Sequence, residues 1–108
     1  LLLQILVNNL LENAHKYSPP GTPIELRLTE ENGNNRLEVI DQGPGIPPGE
    51  QKRIFERFYR IESEATRKTQ GTGLGLYLCK KIALAHRATI SVSAHTPQGS
   101  NFAVVFRS

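Results

Sequence analysis

The chain has 108 residues, 38% of them apolar and 21% charged, which fits one globular domain and excludes a disordered tail. One cysteine excludes a disulfide framework and a cysteine-ligated zinc site, and no apolar run approaches the length of a membrane span or resembles a secretory leader. The net charge of +3 is unevenly laid out: all ten acidic residues lie at or before Glu64, and residues 65–108 carry six Lys/Arg and no acid. A positive end suits an anionic small molecule, an acidic partner or nucleic acid, and equally a solvated basic face. Six per cent aromatic residues and no Trp argue against a base-stacking nucleic-acid surface.

The chain opens in a helix over residues 1–16, where Leu3, Val7, Leu10, Leu11 and Ala14 recur at helical spacing. No capping residue precedes it, so earlier sequence is expected to be missing. Ser18-Pro19-Pro20-Gly21 ends it, because proline cannot continue a helix. Ile24, Leu26 and Leu28 then alternate with Glu25, Arg27 and Thr29, and Leu37, Val39 and Asp41 alternate with Glu38 and Ile40. With the turn residues Asn32-Gly33-Asn34-Asn35 between them, these two runs predict an antiparallel hairpin.

Residues 41–48 are too rich in Gly and Pro for regular structure. Residues 49–60 predict a short helix ending in Phe55, Phe58 and Tyr59, expected to be core or loop anchors, and residues 61–70 lack an apolar period and read as a mobile loop. Gly71-Thr72-Gly73-Leu74-Gly75-Leu76 opens a second long helix, continued by Leu78, Cys79, Ile82, Ala83 and His86. Two strands close the chain, Ala88 to Ala94 and Asn101 to Arg107, joined by Thr96-Pro97-Gln98-Gly99-Ser100. This order predicts an α+β sandwich with helices on one face of a mostly antiparallel sheet.

Three stretches carry candidate chemistry. Asn9, Asn13 and Lys16 stand at i, i+4 and i+7, with the last two within about 40° of Asn9 on the helix. Asparagine is a weak helix former, and an amide oxygen is a hard neutral ligand suited to Mg²⁺. A lysine one turn on can meet a phosphate as a point charge, although a polar helix face bonded to loops explains the same stripe. Asp41 ends a strand beside Gly43 and Gly45; its carboxylate suits an exocyclic amine, and an Asx turn accounts for it as well. Gly71, Gly73 and Gly75 precede a helix, where free N–H groups favour an anion, but without the spacing of a P-loop or dinucleotide fingerprint. Cys79 reads as a small buried apolar residue, and His15, His86 and His95 show no metal spacing.

Taken together, NLLENAHKYSP (Asn9 to Pro19), DQGPGIP (Asp41 to Pro47), IFERFYR (Ile54 to Arg60) and GTGLGLYL (Gly71 to Leu78) resemble the N box, first glycine box, phenylalanine box and second glycine box of bacterial sensor histidine kinases. Each is degenerate alone, but four in this order are specific. The resemblance implies a Bergerat fold, a sandwich lacking its first strands, with residues 1–108 forming one ATP-binding catalytic domain. It implies that Asn13 coordinates Mg²⁺, Asn9 lines the same site, Lys16 contacts phosphate and Tyr17 packs on the nucleotide. Asp41 would bind the adenine amine, helped by Gly43 and Gly45. Gly71, Thr72, Gly73, Leu74, Gly75 and Leu76 would hold the phosphates. Residues 61–70 would be a lid gripped by Phe55 and Phe58, with Lys68 a guess at the γ-phosphate.

Hydrolytic relatives such as DNA gyrase place a glutamate four residues before the Mg²⁺ asparagine, as general base for water. Asn9 stands there and cannot take a proton, and Glu12 lies about 100° round the helix from Asn13. The expected reaction is therefore phosphoryl transfer to a histidine on a dimerisation domain upstream, with a response regulator as the indirect partner, no nucleic acid and no membrane contact by this stretch. A cytoplasmic domain is implied, any inner-membrane segment lying upstream in the parent. A non-enzymatic nucleotide-sensing module and a serine kinase of the same fold are the rival readings. The family also tends to have a glycine after the last helix, where this chain has Arg87-Ala88.

Overall fold

The first helix is held by packing rather than by its ends. In the computed structural model, which describes residues 1–56, 75–95 and 98–107, α1 runs Leu2–Tyr17 with no side-chain N-cap and no acid in its first turn. A cap contributes about 1 kcal/mol. Burying a leucine contributes about 1.5–3 kcal/mol, and Leu6 and Leu10 are both fully buried, with Ala14 one turn on. Val7 and Leu11 pack beside this line. Leu3, expected in the core, is 40% exposed, and Leu1, Leu2 and Ile5 are exposed with it. The strict four-residue spacing of Leu6, Leu10 and Ala14 sets the inward face, and Leu3 lies off its end. Pro19 pushes Ser18 to extended backbone (ψ 143°), and the Ser18 N–H bonds the Ala14 carbonyl at 3.0 Å to close the last turn.

Strands β1 (Glu25–Glu31) and β2 (Asn34–Ile40) form the expected antiparallel hairpin. Its turn is tighter than the four residues predicted. Asn32 and Gly33, at φ 54° and 81°, make a two-residue turn of the mirror-image type whose twist suits a hairpin. Strands β3 (Ala88–Ala94) and β4 (Ser100–Phe106) form the second antiparallel pair, and β4 joins β2. The sheet order is β1-β2-β4-β3, antiparallel throughout the described strands. Alternation sends Val39, Val92, Phe102 and Val104 to the helix-covered side, where they meet Leu6, Leu10, Cys79 and Ile82. On the opposite side the Asn101 amide donates to Glu38 at 2.6 Å. The outer strand β1 is exposed along its length, with Leu26 at 51% and Leu28 at 71%.

The short helix expected over residues 49–60 is replaced, in its described part, by two 3₁₀ turns, Pro48–Glu50 and Arg53–Phe55. Proline suits the first position of such a turn, but Pro47-Pro48-Gly49 offers little to propagate a helix. The Gln51 side-chain amide closes the segment onto the Ile46 carbonyl at 3.2 Å. Ile54 and Phe55 are core residues, and Phe55 meets Phe102 edge to face at 6.2 Å. Phe58, Tyr59, the loop at 61–70 and the opening Gly71–Leu74 lie outside the described residues.

Helix α2 (Gly75–Ala85) buries Cys79, Ile82 and Ala83 against α1 and the sheet. His86, expected within it, instead caps it: its Nδ1 lies 2.8 Å from the Ile82 carbonyl. Arg87 then takes φ 56°, the left-handed conformation that usually falls to glycine after a helix. The turn thus keeps the geometry of the missing glycine, at a cost of about 1–2 kcal/mol in backbone strain. Glycine loses more chain entropy on folding, offsetting part of that. Arg87→Gly is expected to stabilise the chain by about 0.5–1 kcal/mol, read as a higher melting temperature; an unchanged or lower one would contradict the strain.

Candidate functional site

Asp41 follows directly on β2 and is 3% exposed. Its backbone N–H bonds the Ser100 carbonyl at 2.9 Å, which brings it against the start of β4. Its Oδ1 then accepts two main-chain N–H groups, from Gly43 at 2.9 Å and Ser100 at 3.2 Å. Among the described residues no donor reaches Oδ2. Burial raises the carboxyl above its ordinary range, opposed by the two N–H groups and the nearby His95. The Asx turn that the sequence allowed is present as the Gly43 bond, yet it occupies only one of the two carboxylate oxygens.

The glycines around Asp41 answer to backbone geometry. A Cβ at Gly43 would stand 2.7 Å from the Tyr17 carbonyl oxygen, so the bare backbone lets the end of α1 settle on this loop. Gly45 is left-handed at φ 79°, with its Cβ position 3.2 Å from the Gly99 carbonyl oxygen. Gly99, at φ 119°, is the tightest: a Cβ there would lie 1.8 Å from the Asp41 carbonyl oxygen. The Gln98 side chain reaches the Gln42 carbonyl at 3.4 Å, and the His95 N–H reaches the Gly99 carbonyl at 3.0 Å. Sequence reasoning missed Gly99 and Ser100 as members of the site. Their signal was a glycine immediately before a strand, which by itself reads only as a turn.

Helix α1 brings its C-terminal end to the same place. Tyr17 is half-buried beside Gly43; Asn9 and Asn13 are half-buried and Lys16 is exposed. Asn9 and Asn13 each precede a core residue, Leu10 and Ala14, so their stripe borders the buried face. Asn9 also lies near α2, beside Cys79. Burial pushes the Cys79 thiol up to about 12, so it is a neutral S–H. That group donates to the Leu6 carbonyl at 3.6 Å. The sequence identified Cys79 only as a small apolar residue; its bond across to α1 was not legible. The Ser18 hydroxyl is buried without a hydrogen-bond partner among the described residues.

The second glycine box is only partly described. Gly75 opens α2 and is exposed, and a Cβ there would meet no atom of the described residues within 4 Å. Leu76 is partly buried and packs against the core. Gly71, Thr72, Gly73, Leu74 and Lys68 lie outside the described residues. The structure therefore brings together the end of α1, the Asp41 loop and the β3–β4 turn. The candidate metal ligand, Asn13, is a neutral carboxamide, half-buried on the helix face it shares with Asn9. Hard oxygen donors in small number suit Mg²⁺, so the residues present fit that ion.

Comparison with known proteins bears on this arrangement. Residues 1–108 match the family model described as histidine kinase-, DNA gyrase B-, and HSP90-like ATPase. The sensor protein SrrB of Staphylococcus aureus is 37% identical over 98 residues, covering 91% of this chain and 17% of SrrB. The solved mycobacterial sensor histidine kinase MprB superposes with a TM-score of 0.85 at 38% identity, covering 97% of this chain and 69% of that one. Full-length ShkA, solved in complex with AMPPNP, gives a TM-score of 0.82 at 28% identity, covering 97% of this chain and 21% of ShkA. The chain thus spans less than a fifth of its curated relative. By sequence over its whole length and by fold, it belongs to the histidine kinase-, DNA gyrase B- and HSP90-like ATPase family, among the catalytic ATP-binding domains of sensor histidine kinases.

Proposed function

We propose that this domain binds ATP with Mg²⁺ and donates the γ-phosphoryl group to a histidine presented by a separate dimerisation domain of its parent chain. The observation that carries this reading is the Asp41 carboxylate: buried, locked at Oδ1 by two main-chain N–H groups, and without a donor at Oδ2 among the described residues. A carboxylate in a buried residue, with one oxygen bonded by no donor among the described residues, suits a ligand donor, and the adenine 6-amino group is one. Gly75 supports the phosphate end, since no steric contact among the described residues requires a glycine there. An exposed helix start with bare backbone admits an anion closely.

Asn13, with Asn9 beside it, would hold Mg²⁺, which when bound supplies charge neutralisation on the phosphates. Lys16, exposed one turn on, would add a point charge, and Tyr17 an apolar flank for the base. Lys68 and residues 71–74 belong to this reading as phosphate contacts. None of the described α1 groups is placed as a base. Asn9 cannot accept a proton, and Glu12 projects about 100° away from Asn13. The domain's part is then positioning and charge stabilisation: the bond from the γ-phosphorus to the β-bridging oxygen breaks, one to an imidazole nitrogen forms, and ADP leaves. A response regulator would take the phosphoryl group next. No helix among the described residues is long and apolar enough to cross a membrane, and the need for ATP favours a cytoplasmic setting.

Titration calorimetry tests the nucleotide assignment. ATP is expected to bind roughly 10²-fold tighter than GTP, whose carbonyl faces Asp41 where a donor is needed; equal affinities would remove the adenine role. Asn13→Ala is expected to abolish the Mg²⁺-dependent part of ATP affinity, and an unchanged affinity would refute the metal assignment. Labelled ATP with a histidine-bearing dimerisation domain is expected to give acid-labile phosphohistidine on that domain, and the chain alone none.

The Asp41 carboxyl predicts opposed effects on stability and binding. Its folded pKa is raised, so the native state holds this proton more tightly than the unfolded chain. That contribution is present at low pH and is lost as pH rises through the raised pKa. Asp41→Asn keeps an acceptor for Gly43 and Ser100 but places no charge there. At neutral pH its melting temperature is expected to equal or exceed that of the parent, with the advantage shrinking on acidification, while ATP affinity falls by about 10²-fold. A large loss of stability at neutral pH would show that the charged form is needed for folding.

A further inference from the structure

The two edges of the sheet are built differently. Strand β1 carries Glu25, Arg27, Glu30 and Glu31, charges that discourage pairing with another chain. Strand β3, at the other edge, reads Ala88-Thr89-Ile90-Ser91-Val92-Ser93-Ala94 and has neither charge nor proline. The direction of its backbone groups follows from the ladder. The His95 N–H donates to the Gly99 carbonyl, one step past the Ala94–Ser100 pair, and the Ser100 carbonyl turns the other way, to the Asp41 N–H. Antiparallel alternation then commits Thr89, Ser91 and Ser93 to β4 and turns the N–H and C=O of Ala88, Ile90, Val92 and Ala94 outward. Among the described residues no strand pairs with that edge, and Thr89, Ser91, Ser93 and Ala94 are exposed.

We propose that the β3 edge pairs antiparallel with the β3 edge of a second copy of this chain, about a twofold axis at Ser91, joining two four-stranded sheets into one. The strand is its own complement about that residue: Ala88 falls opposite Ala94, Thr89 opposite Ser93, Ile90 opposite Val92, and Ser91 opposite its own counterpart. The same register sets the outward backbone groups against each other, Ile90 with Val92 and Ala88 with Ala94, each pair exchanging both hydrogen bonds. Ile90, only partly buried, gains an apolar neighbour on the helix-covered side. The hydroxyls of Thr89 and Ser93 meet on the opposite side, a favourable cross-strand pair. The charged β1 edge offers β3 no such match, so the contact closes on two copies instead of running on as a fibre. In a dimeric parent such as that proposed above, the copies share an effective concentration on the order of millimolar, so even a weak contact is partly filled.

The test is sedimentation velocity of this chain over a concentration series reaching the millimolar range, joined to cysteine cross-linking. The chain is expected to show a reversible monomer–dimer equilibrium. Ser91→Lys, at an exposed position, sets two like charges face to face on the axis; it should raise the dimer midpoint about fivefold, with the melting temperature of the dilute chain unchanged. In the proposed register Ser91 and its counterpart form a pair without mutual hydrogen bonds, with Cα atoms about 4.5 Å apart, inside the roughly 4.4–6.8 Å that a disulfide spans. Thr89 and Ser93 each lie about 13 Å from their own counterparts, four residues along the strand. Under mild oxidation Ser91→Cys should therefore link two copies, Thr89→Cys and Ser93→Cys singly should not, and the double variant Thr89→Cys/Ser93→Cys should. Cys79 is fully buried and its thiol is pushed up to about 12, so it takes no part. A chain that stays monomeric throughout the series overturns the pairing. So does a dimer that Ser91→Lys leaves intact, or one in which the single Thr89 and Ser93 variants link as readily as Ser91→Cys.

Discussion

Everything local to the candidate site hangs on one carboxylate oxygen that receives two backbone N–H groups. Through it, the end of β2 is tied both to its own following loop and to the start of β4. Hydrogen bonds to a charged acceptor are worth about 1.5–3 kcal/mol, more than ordinary neutral ones. They also fix direction. With Oδ1 held on two sides, Oδ2 is left facing a set place, and the loop cannot slide without breaking both bonds. The burial that makes this arrangement costly would also make it selective toward a ligand, because a buried acceptor discriminates against a partner that offers only another acceptor.

Around this lock the glycines divide by cause. Gly43, Gly45 and Gly99 are explained by close approach or by left-handed backbone, and each contact runs between segments distant in sequence. Gly75 has no such explanation among the described residues, none of whose atoms lies within 4 Å of its Cβ position. A glycine-rich signature is therefore not one signal but two. Part of it meets the packing around Asp41, and part has no described contact that accounts for it.

Much of the fold was legible because the periods are clean. Ile90 and Val92 in β3, Phe102 and Val104 in β4, and Leu10 and Ala14 in α1 follow the expected spacing and face the core. Errors came where a local rule met tertiary context. Leu3 matched the helical stripe but stays 40% exposed, while Leu6, equally apolar, took the core position. The segment after Pro48 had aromatic spacing suited to a helix, but Pro and Gly at its start favoured 3₁₀ turns. Arg87 held a left-handed turn that sequence preference assigns to glycine. In the site, Asp41 was legible from its place between a strand and two glycines. Its partner Ser100, 59 residues away, was not, because that contact exists only once β2 and β4 are neighbours.

The use of main-chain rather than side-chain donors at Asp41 has a bearing on how this region tolerates sequence drift. A peptide N–H is present whatever non-proline residue occupies positions 43 and 100, so exchanging the Ser100 side chain leaves its bond to Asp41 available. Gly99 has no such latitude, because any side chain there collides with the Asp41 backbone. Across divergent chains of this architecture, variation should therefore accumulate freely next to an almost invariant residue. An inhibitor anchored on the Asp41 carboxylate would meet a fixture that point substitutions have few ways to loosen without unseating the loop that carries it.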